Sequence, residues 1–374
     1  MKQIARIAIG IWILTAVYFF YQGVTTVASE GDSIMYHLPI ARSVIDGTVF
    51  TGSRYFDAYA YYPGTGETIV AVMMALGLPL NLFNWLGWVL LFWVTRVFGM
   101  KRGLSGELAT VTAVAVTMLP TAVRLFPTQL VDIWMAVWWG WGMIKSEKIR
   151  SGKANLGDWV VWGAILGLLV GTKFSGLMYA VILVVWCGRQ IWSAGIKKAL
   201  GWVIPAALIG GWWYIRNWIL KGNPMYPLDF LWWQGEPSAR LPIVWKTLLE
   251  MRGITFFAGS LVSEFLLGAG LLLLPLWRRN GWVWVGMAVV LVFAVLPGGV
   301  PTILSNCRYL MPAMLVLAVE AARWAQEKRK EEWMGTLAVL NSVMVLPQLE
   351  YKPKLLLLTG IGWGMWLWKK SVKK

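Results

Sequence analysis

The chain alternates between long apolar runs and short polar breaks, and the runs are too long to be strands. They fall at approximately 4–26, 82–99, 105–123, 132–145, 159–172, 175–188, 199–216, 258–276, 281–297, 308–324, 333–346 and 354–369. A helix rises about 1.5 Å per residue, so roughly 20 apolar residues cross a hydrocarbon layer about 30 Å thick. The pattern therefore predicts an all-α polytopic membrane protein with a bundle of about 12 transmembrane helices. The runs at 132–145 and 159–172 are short and are expected to extend into their flanks or to tilt. Glu67 to Leu78 is apolar but shorter still. It is predicted as a juxtamembrane or re-entrant helix within the first of two long connections, 27–81 and 217–255. Neither connection is large enough to fold alone, so residues 1–374 read as a single transmembrane domain. The first run follows Lys2 and Arg6 and shows no small-residue cleavage site, which marks an uncleaved helix rather than a signal peptide.

Composition supports this reading. Hydrophobic residues make up 58 % of the chain, charged residues 14 %, and mean hydropathy is +0.61. Soluble domains carry about 25 % charged residues, so lipid is the solvent this chain is built for. The 27 Trp suit the membrane–water boundary, where indole is favoured. A net charge of +16 does not point to nucleic acid, because the cations form short clusters between the apolar runs rather than one patch. With the N-terminus inside, the inner loops collect 22 of the 34 Lys and Arg but only 7 of the 18 Asp and Glu. The positive-inside rule then gives cytoplasmic N- and C-termini, a multi-pass plasma-membrane protein, and long loops facing outside. Cys187 and Cys307 fall at opposite faces with no metal-site spacing, and no disulfide is expected.

The informative polar residues gather on the outer side, in five clusters. The first holds Glu30, Asp32, Tyr36, His37 and Arg42, followed by Tyr61-Tyr62-Pro63 and Glu67. Asp32 could N-cap a helix starting at Ser33, or act as a general base held at the membrane surface. His37, the lone histidine, stands five residues on and could share a face with it as a metal ligand or phosphate partner. The second cluster runs from Arg124 to Asp132. Asp132 could cap the fourth span or turn toward Asp32. The resulting carboxylate pair, with His37, could bind a divalent cation such as Mg or Mn, or an amine. The third is the turn Gly171-Thr172-Lys173, where an ionisable group sits at apolar depth. The fourth contains Arg216 and Asn217, followed by Gly222-Asn223-Pro224-Met225-Tyr226-Pro227. The fifth is Arg308-Tyr309 leading to Pro312. Arg216 and Arg308 carry the planar fork that suits phosphate oxygens. Each group alone is as readily a cap or an interfacial anchor.

Taken in order along the chain, the clusters resemble the polyprenyl-phosphate-dependent glycosyltransferases of superfamily C (GT-C), which include protein O-mannosyltransferases and the aminoarabinose transferases of lipid A. The residues carrying the resemblance are Glu30-Gly31-Asp32 with Tyr36-His37-Leu38-Pro39, Tyr62-Pro63, Asp132, Thr172-Lys173, Arg216-Asn217 with Gly222 to Pro227, and Arg308-Tyr309 with Pro312. A Lys-Pro-Pro phrase present in some members is Tyr61-Tyr62-Pro63 here. The resemblance implies an inverting transfer from a polyprenyl-phosphate sugar to a hydroxyl or amine of a glycan, lipid or protein acceptor at the outer face. It implies Asp32 as general base, with Asp132 and Glu30 beside it, and Lys173, Arg216, Arg308 and Tyr309 around the donor phosphate. His37, Tyr36, Arg42, Tyr62 and Asn217 are implied on the acceptor side. A transporter or lipid flippase is the rival class, but no internal repeat with matching broken helices is evident. The placement of the inner loops is directly testable. A cysteine introduced at Gly103 is expected to react with an impermeant thiol reagent from the inner side alone; labelling from outside would reverse the orientation.

Overall fold

In this computed structural model the described residues are 1–51, 58–237, 240, 242–297 and 306–346. The expected last span, 354–369, lies outside them. The helices are α1 (Lys2–Thr25), α2 (Leu38–Ile45), α3 (Thr65–Ala75), α4 (Leu82–Lys101), α5 (Gly106–Thr117), α6 (Pro120–Arg124), α7 (Asp132–Arg150), α8 (Leu156–Thr172) and α9 (Phe174–Trp186). They continue as α10 (Gly188–Trp192), α11 (Gly195–Ala206), α12 (Trp212–Lys221), α13 (Val244–Leu249), α14 (Met251–Phe265), α15 (Gly281–Val295), α16 (Met311–Glu327) and α17 (Glu331–Val345). No β-sheet forms among the described residues. The protein is an integral membrane protein: Lys2–Thr25, Leu82–Lys101 and Gly253–Leu276 are each long and apolar enough to cross a bilayer. Large apolar side chains such as Val17, Val185, Leu208 and Leu291 point outward.

Polar residues set the helix ends. Ser105 Oγ accepts the Leu108 amide, and Asn155 and Asp158 form a reciprocal capping box at the start of α8. Such caps satisfy amides that have no partner within the helix. α12 stops at Gly222, which takes a left-handed conformation with φ 68°. As the apolar pattern predicts, α7 and α8 extend past 132–145 and 159–172, by five residues at the C-terminus of α7 and three at the N-terminus of α8.

Prolines and local rewinding cause the departures from uniform spans. The run 105–123 breaks into α5 and α6 because Pro120 cannot continue a helix that already needs its amide. The run 199–216 becomes α11, a π-helical stretch at Ala207–Gly211, and α12, with Pro205 just before the rewound part. The run 258–276 is α14 followed by a 3₁₀ stretch over Leu266–Leu276. The short apolar segment after Glu67 is α3, an 11-residue helix packed on α2 and α8.

α16 is the hub. It is apolar on every side from Met311 to Val319, all of it buried, and it packs against α4, α5, α7, α15 and α17. α8 meets α11 and the Ala207–Gly211 stretch through Gly163, Gly167 and Gly171, spaced four apart. A methyl at Gly163 would strike the Trp202 backbone, and one at Gly167 the Ala206 backbone, so only glycine lets these helices approach so closely. The tryptophans are not confined to the boundary. Trp88, Trp139, Trp162 and Trp213 are fully buried, and three of them satisfy their indole N–H internally, on Thr117 O, Ser146 Oγ and Thr65 Oγ1.

One side chain gathers three carbonyls of the segment leading into α7. Asn84, fully buried in α4, donates from Nδ2 to the carbonyls of Leu125 (2.9 Å), Thr128 (3.0 Å) and Leu130 (2.9 Å). Removing that donor strands carbonyls in apolar surroundings, which costs about 1–3 kcal/mol for an unsatisfied buried group. Asn84→Leu is expected to lower thermal stability by that order in detergent; an unchanged melting temperature would show that the loop is held by other means.

Candidate active site

Five separate chain segments meet at one end of the bundle. α1 ends at Thr25, and the chain runs extended until Glu30 starts a new helical turn. Glu30, rather than Asp32, makes the cap: its carboxylate accepts the amides of Asp32 (3.1 Å) and Ser33 (2.7 Å) and the Ser33 hydroxyl (2.8 Å). Ser33 Oγ in turn accepts the Gln129 amide at 2.9 Å and ties this turn to the segment before α7. Asp32 makes no capping bond, contrary to the expectation from sequence, because a carboxylate two residues earlier already holds those donors. It is left free to face the interior of the cluster, with its side chain 43 % exposed.

Residues Ser33–His37 form a single π-helical turn leading into α2. The turn stacks Tyr36 beside Tyr59 and places it edge-on to Tyr62. Burial first, and then the negative charge of Asp32, push the Tyr36 phenol well above its ordinary pKa, so it stays a neutral O–H. His37 turns away from Asp32. Its Nδ1 lies 2.6 Å from Glu67 Oε1, with both side chains buried. This joins the Ser33–His37 turn to α3 across 30 residues of sequence. Nothing in the spacing announces that pair; a buried acid opening an apolar helix was the available signal.

The centre is Asp132, the first residue of α7 and 2 % exposed. It does not cap its own helix. Lys173 Nζ donates to Oδ1 at 3.0 Å, and Arg308 Nε lies 3.0 Å from Oδ2. Lys173 is the one extended residue between α8 and α9, with φ −164° and ψ 153°, so the chain breaks where the ammonium must reach inward. Arg308 belongs to the short 3₁₀ turn Cys307–Leu310 that opens α16. Its Nη2 also lies 3.5 Å from Asp32 Oδ2, so one guanidinium bridges both carboxylates. The Tyr309 ring lies under Lys173 at 4.1 Å and Arg308 at 5.6 Å. Tyr179, which sequence reasoning missed because a lone Tyr in an apolar run looks like packing, donates to the Tyr309 carbonyl at 2.8 Å.

Arg216 and Asn217 form a neighbouring cluster instead of joining this one. Arg216 Nε and Nη2 donate to Asn217 Oδ1 at 3.0 and 2.7 Å, and Asn217 Nδ2 donates to the carbonyls of Tyr61 and Tyr226. The guanidinium also lies over the rings of Trp213 and Tyr61. The two clusters touch through adjacent residues, because Tyr61 belongs to the Arg216 group while Tyr62 packs on Tyr36 and on Phe174. Arg42 lies exposed on α2. The residues that could have made a metal centre are committed elsewhere: Asp132 faces two cations and His37 faces Glu67. Among the described residues no three His, Cys, Asp or Glu side chains converge on a metal position.

No protein-family model matches the sequence, and no curated protein matches it. Two solved structures share the fold. The crystal structure of ArnT from Cupriavidus metallidurans bound to undecaprenyl phosphate is similar with a TM-score of 0.60 at 16 % identity, over 83 % of this chain and 59 % of that one. The same protein in the apo state gives a TM-score of 0.59 at 16 % identity, over 83 % and 58 %. The chain therefore spans less than two thirds of the length of ArnT. Over the matched part its fold is that of ArnT.

The ion cluster makes a stability prediction independent of function. Removing one member of a buried charge set leaves the others uncompensated and costs about 3–5 kcal/mol. Asp132→Asn and Lys173→Met are each expected to destabilise strongly, whereas the double variant should cost less than the two together. Strict additivity in a double-mutant cycle would mean that the two side chains do not interact in the folded protein.

Proposed function

We propose that the chain is a GT-C glycosyltransferase that moves a sugar from a polyprenyl-phosphate donor to an acceptor hydroxyl or amine, inverting the anomeric carbon. The observation that carries the proposal is Arg308 bridging a half-exposed Asp32 and a buried Asp132, with Lys173 completing the cluster, at the open end of an ArnT-like bundle. ArnT binds undecaprenyl phosphate, which supports a polyprenyl lipid as the partner here.

The division of labour follows from burial. Asp32 is reachable and can accept the proton of an acceptor hydroxyl. The acceptor oxygen then attacks the anomeric carbon from the face opposite the phosphate. The bond from that carbon to the phosphate oxygen breaks, and polyprenyl phosphate leaves with the electron pair. Arg308 and Lys173 are already in place, so they can meet the charge growing on that oxygen without first reorganising water. Asp132 keeps both cations oriented while the site is empty. Neutral Tyr36 and Tyr62 form an aromatic wall with polar tips, a surface suited to a sugar ring. Arg216 and Asn217 support this wall through Tyr61 rather than touching the phosphate. The donor set does not fit a divalent ion, and no step is assigned to one. The open end is read as the outer face, from the charge distribution along the sequence.

Incubating the purified protein with a polyprenyl-phosphate sugar and measuring release of polyprenyl phosphate tests the assignment. Asp32→Asn is expected to fold normally and to lower turnover roughly 10²–10⁴-fold, the usual cost of losing a positioned base. Near-normal turnover by that variant would remove Asp32 from the role. Movement of the intact lipid across a vesicle membrane, with no bond cleavage, would favour a flippase instead.

A further inference from the structure

A cavity of about 590 Å³ opens at the opposite end of the bundle. α16, 17 residues or about 25 Å long, separates it from the candidate active site: Arg308 lies just before the first turn and Glu327 ends the helix. Five cationic side chains line the cavity (Arg102, Arg278, Arg279, Arg323 and Lys328) against one lining carboxylate, Glu327.

The cationic wall is built rather than incidental. Glu320, 0 % exposed within α16, organises it from behind. Its Oε1 accepts from Arg102 Nε at 3.0 Å and Nη2 at 2.9 Å, and its Oε2 from Arg278 Nε at 3.1 Å and Asn280 Nδ2 at 2.7 Å. Arg278 is fixed further by two bonds to Glu327, at 2.7 and 3.0 Å. Arg279 is exposed and enters no ion pair among the described residues, and Lys328 beside it is exposed as well. The cavity thus presents uncommitted positive charge on a rigid, pre-paired base.

The remaining lining identifies the source of the anion. Trp277, Trp282 and Trp324 also line the cavity, and Arg102 stacks on Trp282 at 4.4 Å. Tryptophan marks the level of lipid headgroups. In the stretch that leads into Trp277, Leu273 and Leu276 are 55 % and 68 % exposed, so the chain running up to the cavity lining offers apolar surface to an acyl chain. A soluble phosphate would use the cations but would have no use for that surface. The charge distribution along the sequence puts this end at the inner leaflet, where anionic lipids meet basic pockets between helices.

We propose that this cavity is a binding site for the phosphate of an anionic phospholipid headgroup, seated on Arg278, Arg279 and Lys328 between α15, α16 and the Leu266–Leu276 stretch. The site is separate from the donor site and does not depend on the reaction proposed there. The test uses the full-length protein and native mass spectrometry with defined lipids. Wild type should retain phosphatidylglycerol in preference to phosphatidylcholine. The exposed double variant Arg279→Gln/Lys328→Gln should keep its lipid-free melting temperature and bind phosphatidylglycerol about thirtyfold more weakly, as expected for two interfacial cations. Equal retention of both lipids by wild type, or undiminished phosphatidylglycerol binding by a folded double variant, overturns the proposal. Saturable protection by millimolar inorganic phosphate with no lipid preference overturns it in favour of a soluble anion.

Discussion

A charge in apolar surroundings must be compensated, and Asp132 is where that constraint shapes the molecule. An ionised side chain taken out of water costs several kcal/mol unless partners meet it with good geometry. Here the partners come from distant parts of the chain: Lys173 between α8 and α9, and Arg308 ahead of α16. Each interrupts a helix or precedes one. The break at Lys173 lets an ammonium reach inward without leaving its helix as a kinked rod, and the 3₁₀ turn before α16 aims the guanidinium the same way. The Ser33–His37 turn is drawn in because Arg308 has a second edge, which Asp32 occupies.

How far the sequence reveals this depends on the range of the interaction. The helices are legible because membrane thickness fixes their length and because an apolar run needs no partner to be recognised. Their interruptions are partly legible: Pro120 and Pro205 sit where the runs change form, yet the π-helical rewinding after Pro205 follows from packing against Gly167 and Gly171 and has no local code. The candidate site is legible as a set of polar residues at one side of the membrane, but not as a set of pairs. The sequence allows Asp32 to be a cap or a base, and only the fold gives the cap to Glu30. His37 looked like a companion of Asp32, whereas its partner is Glu67. Arg216 looked equivalent to Arg308 because both are arginines at the same level, but tertiary packing gives Arg216 to Asn217, Trp213 and Tyr61. Pairing across 30 or more residues leaves no trace in spacing.

α16 gives the molecule its mechanical logic. It is apolar all round and packed on all sides through most of its length, so it can neither tilt nor rotate without disturbing its neighbours. Two charged assemblies flank it, Arg308 with two aspartates ahead of its first turn and Glu320 with Arg102 and Arg278 toward its other end. Both are built the same way: buried Asp132 lies between two cations at the start of α7, and buried Glu320 within α16 lies between two cations at the basic end. A rod fixed by ion pairs at both ends and by close packing between them holds the candidate site to a single geometry.

That rigidity bears on how the proposed transfer could be driven. Asp32, Asp132, Lys173 and Arg308 together are neutral when both acids are ionised, so a phosphodiester donor with one negative charge gains little from the net field and binds through its lipid as much as through its phosphate. The balance changes along the reaction. As Asp32 takes the acceptor proton it loses its negative charge, and the cluster becomes net positive by one. The departing phosphate gains its second negative charge over the same interval. Arg308, the cation that Asp32 and Asp132 share in the ground state, therefore becomes less committed as the leaving oxygen needs it most. Stabilisation of this kind is greater for the transition state than for the bound donor, which is the condition for accelerating the step rather than merely tightening binding. It requires one guanidinium to touch both the base and the phosphate site, and Arg308, between Asp32 and Asp132, has that position.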